Sequence, residues 1–313
     1  MAKNNIVGSR GGQEKHVFLM QVHKEPKMFE RILNKLVSPN HYFAINIDIK
    51  SREYEPLMKI AKSFDNVIYV TNNNIKHGGF SQIACTVEQL KYTLSYEIKF
   101  DYFHTISGQD YPCVNMNVFD DFFASNKKSY MHMDSDEEIG RWRYTKYKER
   151  LVHYFLIDMF HGKSKLNIKL FWMLNHFLKY IPRECNFLDR VCGGWNWFSL
   201  HRNVIEYIIK YLKENPTYYN RFKYTYCCDE IIFSTMLYPI AEEYNIDIHN
   251  SLRFVEWHPK RPYESTPLVL NMNEYDDIVK SGAFFCRKCE WKESLELLNK
   301  LDEHVENYKP NDI

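Results

Sequence analysis

The sequence predicts an α/β fold built on a mainly parallel, doubly wound central sheet. Two observations lead to this class: apolar runs of strand length alternate with segments whose apolar residues recur at helical spacing, and no internal repeat interrupts the alternation. The chain of 313 residues is long enough to bury a full core, and its 16% aromatic content is far from the depletion typical of disordered proteins. A disulfide miniprotein and a disordered chain are therefore excluded.

The alternation begins at His16, where HVFLMQVH predicts a strand and EPKMFERILNKLV predicts a helix. The segments YFAINIDI, EYEPLMKIAKSF and NVIYVT then predict a strand that ends at Asp48, a helix and a third strand. Ligands of doubly wound sheets bind beyond the carboxyl ends of the strands, so Asp48 and the segment after Val70 are expected at the edge of a pocket. The first loop carries no GxGxxG, which argues against a dinucleotide-type pyrophosphate site.

The rest of the chain continues the pattern with one interruption. Residues 82–97 predict a helix opened by the Gly78-Gly79 turn, and the later predicted elements are strands at DYFHTIS, SYMHM and GWNWFSL and helices at 118–127, 202–214 and 229–238. Residues 134–190 are charged and aromatic and predict a helical insert. We therefore expect a single domain over residues 16–313 with an insert at about 134–190, preceded by a polar mobile arm or expression remnant over residues 1–15.

Composition restricts the partners and the compartment. The formal net charge of +1 and the pI of about 7.6 give no bulk argument for a nucleic-acid partner. The N-terminus lacks the apolar run of a secretory signal, and no stretch of about 18 apolar residues suggests a membrane span. The eight cysteines are scattered through a large chain, which favours reduced thiols and a cytoplasmic location.

One segment suggests contact with the inner face of a membrane. Between Met159 and Arg183 the chain has four lysines and one arginine but no aspartate or glutamate, interleaved with leucine, phenylalanine and tryptophan. This pattern is typical of an interfacial amphipathic helix attracted to anionic lipid. An ordinary surface helix whose lysines fold over apolar neighbours would account for it as well, so both interpretations stay open.

Two acidic motifs each have two interpretations. Asp229-Glu230 comes directly before the apolar run IIFSTML, where a carboxylate can cap a helix or act as a general base mounted on a buried helix end. Asp134-Ser135-Asp136 has the DxD spacing with which many nucleotide-sugar enzymes hold a divalent cation. The same triplet opens a charged run and is also typical of a solvated helix start.

Two further motifs concern metals and anions. Cys286 and Cys289 have the spacing of half a zinc site or of a redox pair, but no second CxxC completes a zinc site in the sequence. The basic pairs Lys260-Arg261 and Arg287-Lys288 lie in separate distal segments. If both face one pocket, they could neutralise a leaving diphosphate without a metal ion.

The order of several short blocks resembles the core-2/I-branching β-1,6-N-acetylglucosaminyltransferase family, which includes peptide-O-xylosyltransferases and bacterial members. The resemblance covers about residues 16–290. It rests on the blocks INIDIKS, HGGFSQIACTVEQL, SGQDYP, RWRY, GGWNWFSL, CCDEIIFSTML, LRFVEW and SGAFFCRKCE, in this order.

The resemblance implies a GT-A-type, Rossmann-like glycosyltransferase fold and an inverting, metal-independent transfer. It implies that Glu230 is the catalytic base. The residues expected at the donor nucleotide are Asp48, His77, Asp110, Arg261, Arg287 and Lys288, and those expected at the acceptor are Arg141, Arg143, Trp195, Asp229 and Trp257.

The chain departs from the family pattern at two donor positions. A family arginine that partners the diphosphate falls near Ser265-Thr266, so Arg261 or Arg287 must replace it, and His77 stands where relatives have an aromatic hydroxyl. We expect UDP-N-acetylglucosamine as donor, with UDP-xylose next, a glycan or glycolipid acceptor, and no metal or other cofactor. The alternatives are a metal-dependent transferase that uses Asp134 and Asp136, a non-catalytic carbohydrate-binding protein and a zinc-dependent structural protein.

Overall fold

The computed structural model describes residues 14–134, 150–159, 165–178, 180, 181, 183, 191–258 and 267–307. These residues form an α/β fold whose central sheet has seven strands in the order β3-β2-β1-β4-β7-β6-β8. The strands of this sheet are β1 (His16–Val22), β2 (His41–Ile47), β3 (Val67–Thr71), β4 (Tyr102–Ser107), β6 (Ser129–Met133), β7 (Gly194–His201) and β8 (Ile246–Asp247). A small second sheet joins β5 (Tyr111–Pro112), β10 (Phe285–Arg287) and β9 (Arg253–Val255) in that order. The predicted mainly parallel α/β fold of GT-A type is thus confirmed.

Strand β7 runs against its neighbours. It pairs antiparallel with β4 and β6, whereas β1 pairs parallel with β2 and β4, and β2 with β3. Parallel neighbours are usually joined by a crossover helix, whereas antiparallel neighbours need no such connection. In the sequence, β7 comes after the long segment 134–190. Its beginning therefore lies at the same edge as the ends of β1, β4 and β6, which brings Trp195 to the edge where ligands bind in such sheets.

Helices cover both faces of the central sheet. The helices are α1 (Pro26–Leu36), α2 (Tyr54–Ala61), α3 (Phe80–Ser95), α4 (Met116–Asn126), α5 (Lys165–Leu178), α6 (Arg202–Glu214), α7 (Pro216–Arg221), α8 (Ile232–Leu237), α9 (Tyr275–Ser281) and α10 (Trp291–Asn307). Successive side chains of β1 alternate between two cores: Phe18 and Met20 pack with α1, α2, α4, α9 and α10, and Val17 and Leu19 pack with α3, α6, α7 and α8. The sheet is buried on both sides, as parallel sheets usually are.

The predicted helix over 229–238 is wrong at its beginning. Cys228–Glu230 forms one 3₁₀ turn, closed by hydrogen bonds from Glu230 N–H to the Cys227 carbonyl (3.2 Å) and from Ile231 N–H to the Cys228 carbonyl (3.1 Å). The α-helix follows only as α8, and neither Asp229 nor Glu230 accepts a capping hydrogen bond from it. Cys227, which precedes the turn, has a positive φ of 45° and so redirects the chain. Helix capping does not explain these two acids.

A buried arginine joins the small sheet to the large one. Arg253 in β9 donates hydrogen bonds to Ser199 Oγ (2.8 Å), the Phe198 carbonyl (2.9 Å) and the Thr105 carbonyl (3.1 Å). Its burial lowers the pKa of the guanidinium to about 9, although Asp110 nearby acts to raise it. Arg253, which lies within the block LRFVEW, therefore holds the two sheets together.

None of the described helices has the length and hydrophobicity to span a bilayer.

Candidate active site

The candidate site lies at the edge formed by the ends of the parallel strands. After β3 the chain returns to the other side of β1, so β1 and β4 flank a topological switch point. Ligands of open α/β sheets bind in the crevice at such a point. Asp48 follows β2 at this edge and is half-buried, and its backbone N–H donates to the Val22 carbonyl at the end of β1 (2.9 Å).

Two residues predicted to bind the donor are bound to each other. Arg287 Nη1 lies 3.0 Å from both carboxylate oxygens of Asp110, and the side chain of Asp110 is fully buried. The guanidinium also stacks on Trp197, with Cζ 3.6 Å from the ring centroid. Ser107 donates to Asp110 through its backbone N–H (2.7 Å) and its hydroxyl. Arg287 is thus a fixed part of the crevice wall, with most of its charge offset by Asp110.

Next to this pair, two lysines converge on one carboxylate. Glu290 Oε1 accepts hydrogen bonds from Lys24 Nζ (2.8 Å) and Gln109 Nε2 (3.1 Å), and Lys288 Nζ lies 3.5 Å away. Burial alone would raise the pKa of Glu290, but the two lysines and Gln109 lower it below its usual value. The two lysines with one carboxylate leave a net positive charge, which suits a diphosphate. Sequence reasoning identified Lys288 and missed Lys24, because a lysine after a strand has no distinctive spacing.

The predicted donor residue His77 is exposed in a turn that packs against the acidic segment. Gly78, with a φ of 72°, accepts a hydrogen bond from Cys227 N–H (2.8 Å). A Cβ at Gly79 would lie 2.4 Å from Asp158 Oδ1, so a larger residue there would displace the carboxylate that accepts from Ser81. The glycine pair therefore docks the beginning of α3 onto the segment that carries Asp229 and Glu230.

Asp229 is held by neutral donors and is short of one partner. Its Oδ2 accepts hydrogen bonds from Gln82 Nε2 in α3 (3.1 Å) and Asn196 Nδ2 in β7 (2.9 Å). Its Oδ1 is buried with no hydrogen-bond partner among the described residues. Burial, followed by the neighbouring charge of Glu230, raises the pKa of Asp229 to about 7. The only signal for Gln82 and Asn196 in the sequence is that each is a polar residue within an apolar element.

Glu230 has a different environment. Its Oε2 lies 2.5 Å from Arg150 Nη1, and 35% of its side chain is exposed, compared with 12% for Arg150. The Arg150 guanidinium in turn lies over the ring of Tyr226, 5.6 Å from its centroid. The two adjacent carboxylates therefore differ: Asp229 titrates near neutral pH, and Glu230 is paired with a cation and open to solvent. Such separated environments are typical of acid and base assignments in enzymes.

The two predicted acceptor tryptophans lie together. The ring centroids of Trp195 and Trp257 are 5.8 Å apart, and His132 lies 4.7 Å from Trp195. Both tryptophans are half-buried, and Trp257 Nε1 is buried without a hydrogen-bond partner among the described residues. An aromatic face beside an unused N–H donor suits a sugar ring, which offers C–H faces and hydroxyls.

The DxD motif is only partly described. Asp134 is fully buried just after β6, and its N–H donates to the Gly193 carbonyl (2.8 Å). Asp134 is therefore not solvated, and the rest of the triplet, on which the two interpretations depend, lies outside the described residues. The remaining predicted residues Asp136, Arg141, Arg143 and Arg261 lie outside the described residues.

Two other clusters contain the residue types that bind metal ions. Cys286 and Cys289 are buried with their Sγ atoms 3.7 Å apart, and across the described ranges no third ligand forms a set with them. The described residues do bring together His16, His41 and Asp120, all buried. His41 Nε2 lies 2.7 Å from Asp120 Oδ1, which is a hydrogen-bond length. Two ligands of one tetrahedral zinc ion at about 2.0 Å would be roughly 3.3 Å apart, so hydrogen bonding explains this pair.

Comparison with known proteins identifies relatives of one kind. The family model described as "Branch: Core-2/I-Branching enzyme" matches residues 17–278. The chain is 24% identical to beta-glucuronosyltransferase GlcAT14A of Arabidopsis thaliana over 302 residues, which cover 92% of this chain and 63% of that protein. It is 24% identical to xylosyltransferase 2 of Rattus norvegicus over 313 residues, covering 92% of this chain and 33% of that protein.

The alignment with a third relative covers fewer residues. The chain is 20% identical to a probable beta-1,3-galactosyl-O-glycosyl-glycoprotein beta-1,6-N-acetylglucosaminyltransferase 7 of Homo sapiens over 201 residues, covering 61% of this chain and 42% of that protein. The chain thus spans between about one third and two thirds of the length of these curated relatives.

Proposed function

The chain belongs to the core-2/I-branching enzyme family, and we propose that it is an inverting glycosyltransferase that moves a sugar from a UDP-sugar to a hydroxyl of a glycan or glycolipid. The observation that carries this proposal is the 3₁₀ turn at Cys228–Glu230, which holds two carboxylates of different character against α3 and β7. The strand order supports a donor crevice at the same sheet edge.

The proposed reaction is a single displacement. Glu230 takes the proton of the acceptor hydroxyl as that oxygen attacks C1 of the donor sugar, and the bond from C1 to the diphosphate oxygen breaks on the opposite face. The carboxylate of Glu230 is partly open to solvent, from where an acceptor could reach it, and Arg150 keeps it in place. Orienting the three atoms in line supplies much of the rate, and the base contributes about 10²–10⁴-fold.

Fixed cations would take the charge of the leaving group. Lys24 and Lys288 share Glu290 and keep a net positive charge between them, while Arg287 is held by Asp110 and Trp197. Preorganised charges of this kind stabilise a departing diphosphate without reorganisation. They support transfer without a metal ion, as the family resemblance implies.

For the donor we propose UDP-N-acetylglucosamine first and UDP-xylose second. The names of the relatives include N-acetylglucosaminyl-, xylosyl- and glucuronosyltransferases, so UDP-glucuronic acid is a necessary comparison. Trp195 and Trp257 are proposed to stack on the acceptor sugar. The product would be part of a surface polysaccharide or glycolipid.

The experiment is a panel of nucleotide sugars tested by thermal shift and by release of UDP, with and without EDTA. Ligand binding raises the apparent stability by RT ln(1 + [L]/Kd), so one UDP-sugar should raise Tm more than the others and also yield UDP. Retention of the Tm shift in EDTA is expected. Loss of both signals in EDTA would support a metal-dependent transferase, and sugar binding without UDP release would support a non-catalytic carbohydrate-binding protein.

A further inference from the structure

Exposed apolar side chains are concentrated in one part of the molecule. Among the described residues, the large hydrophobic side chains that are strongly exposed fall into two groups. One group is Met159, Leu166, Ile168, Leu170, Trp172, Met173, Phe177, Tyr180 and Ile181, and the other is Val37, Ile49, Tyr224 and Tyr226. The first group lies on α5 and on the described residues next to it in the sequence, so these side chains are concentrated rather than scattered.

Helix α5 carries apolar residues at its exposed positions as well as at its half-buried ones. Leu174 and Leu178 are half-buried. On the outer side, Leu166 and Phe177 are 73% and 62% exposed, and Trp172 is 66% exposed. A surface helix of a water-soluble domain normally carries polar residues outward, and a helix that is apolar all round is normally covered. The outer face of α5 is therefore suited to an apolar environment.

The charge of the segment indicates what that environment is. Residues 159–183 contain Lys163, Lys165, Lys169 and Lys179 and no aspartate or glutamate. Lys169 is exposed among the apolar side chains of α5. Arg183 does not contribute to the surface, because it is buried and donates to the carbonyls of His153 (3.0 Å) and Tyr224 (2.9 Å). Apolar and aromatic side chains with lysines alone match an anionic lipid surface.

The segment is attached beside the catalytic turn. Phe155 N–H donates to the Tyr224 carbonyl (2.9 Å), and Arg183 bonds to the same carbonyl from the other end of the segment. Asp158 accepts hydrogen bonds from Ser81 at the beginning of α3 (2.6 Å from its Oγ). Phe155 and Arg183 thus contact the body at Tyr224, which precedes Glu230 by six residues in the chain. A bilayer that receives α5 would bind the segment that is anchored at this point.

We propose that α5 with its flanking residues Met159, Tyr180 and Ile181 is a lipid-docking surface that inserts shallowly into an anionic membrane, and that the acceptor is a lipid-linked glycan of that membrane. The proposal of a lipid-linked acceptor rests on the proposed function, because it concerns the acceptor of the same site. The proposal of a docking surface does not, because docking needs no catalysis.

Vesicle flotation tests the docking. We expect the full chain to float with vesicles that contain 30% phosphatidylglycerol, to bind phosphatidylcholine vesicles more weakly, and to lose affinity as salt rises. The double variant Trp172→Ser/Phe177→Ser should bind the anionic vesicles at least ten-fold more weakly. The matched control Val37→Ser/Ile49→Ser, which removes exposed apolar side chains elsewhere, should bind like the wild type.

Two results would overturn the docking surface: wild-type protein that does not bind anionic vesicles, or binding that the double variant leaves unchanged. A dimer in solution that the double variant converts to monomer, without vesicle binding by the wild type, would assign the surface to a second copy instead. Thermal unfolding and UDP release from the donor check that the double variant is folded, since neither is expected to change.

The acceptor is tested with one sugar in two forms: a dodecyl glycoside of N-acetylgalactosamine or galactose in anionic vesicles, and the methyl glycoside in solution. The double variant should reduce transfer to the dodecyl form at least ten-fold and leave transfer to the methyl form unchanged. Equal transfer by wild type and variant to both forms would contradict a lipid-linked acceptor. Wild-type protein that binds vesicles but transfers to neither form and releases no UDP would count against the proposed function, not against docking.

Discussion

At the scale of single residues, the adjacent acids Asp229 and Glu230 show how two identical functional groups acquire different properties. The side chain of Asp229 accepts hydrogen bonds from neutral amides and has a buried Oδ1, whereas Glu230 faces Arg150 and solvent. Burial disfavours a charge, so the pKa of Asp229 rises to about 7. Asp229 therefore gains its negative charge, next to the proposed base, as the pH rises through about 7.

This coupling predicts a pH dependence. In the wild type, kcat/KM should rise through an inflection near pH 7 as Asp229 ionises. In Asp229→Asn the carboxylate is permanently neutral, so the inflection should disappear and the activity at pH 8 should fall to the level of the acidic limb. Asp121→Asn, an exposed acid in α4, is the control. An inflection near pH 7 that survives in Asp229→Asn would assign it to another group.

The same substitution tests stability. A folded-state pKa of about 7 for Asp229 lies above the usual value of 3.8, so the folded protein holds the proton more tightly than the unfolded chain. The resulting stabilisation is complete below about pH 4 and is lost as pH rises through 7. Asp229→Asn should therefore raise Tm relative to the wild type at pH 8 more than at pH 5, as measured by thermal unfolding. An equal Tm difference at both pH values would contradict the raised pKa.

Lys288 is predicted to bind the diphosphate. A charge-assisted hydrogen bond contributes about 1.5–3 kcal/mol, so Lys288→Ala should weaken UDP binding about 10- to 150-fold in calorimetry. Lys280→Ala removes an exposed lysine from α9 and should leave the affinity unchanged. Unaltered UDP affinity in Lys288→Ala would exclude this role.

At the scale of elements, the apolar periodicity of the sequence predicts the positions of most strands and helices. The strands β1, β2, β3, β4, β6 and β7 all lie where alternating or continuous apolar runs predict them. The turn at Cys228–Glu230 was predicted as helix, because the apolar run after it fits a helical period and the positive φ of Cys227 leaves no mark in the sequence. The direction of β7 was missed because strand pairing depends on partners distant in the sequence.

Only some residues of the candidate site could be predicted, because the others contact the site from distant parts of the chain. Trp195 and Trp257 are far apart in the chain, and the family resemblance brought them into one acceptor site, where the structure shows them in contact. Arg150 and Asn196 hold the predicted residues Glu230 and Asp229 through long-range contacts, and Lys24 holds Glu290, the carboxylate beside Lys288. Their spacing in the sequence is unremarkable, so only the folded chain identifies them.

At the scale of the whole molecule, a chain of buried polar groups crosses both sheets. His16 Nδ1 lies 3.0 Å from His104 Nε2, and His104 Nδ1 lies 2.9 Å from Ser199 Oγ, which also accepts from Arg253. Burial first, and then the neighbouring histidines, lowers the pKa of His16 and of His104 well below the usual value of 6.5. The folded protein therefore keeps both imidazoles neutral.

These histidines predict acid sensitivity. Because the pKa of each is depressed in the folded state, protons bind the unfolded chain first, and stability falls as pH drops below about 6.5. Each such histidine contributes a slope of about 1.4 kcal/mol per pH unit. His104→Gln should lower stability overall but reduce that slope between pH 6.5 and 5 in urea unfolding. Parallel pH curves for variant and wild type would contradict the neutral His104.

The most direct measurement of the central claim compares Glu230→Gln with the wild type in two assays, sugar transfer and UDP affinity. If Glu230 is the base beside a separate diphosphate site, kcat should fall about 10²–10⁴-fold while the Kd for UDP stays the same. Glu214→Gln, an exposed acid at the end of α6, should behave as the wild type in both assays. Transfer by Glu230→Gln at a rate near that of the wild type would contradict the assignment of the base.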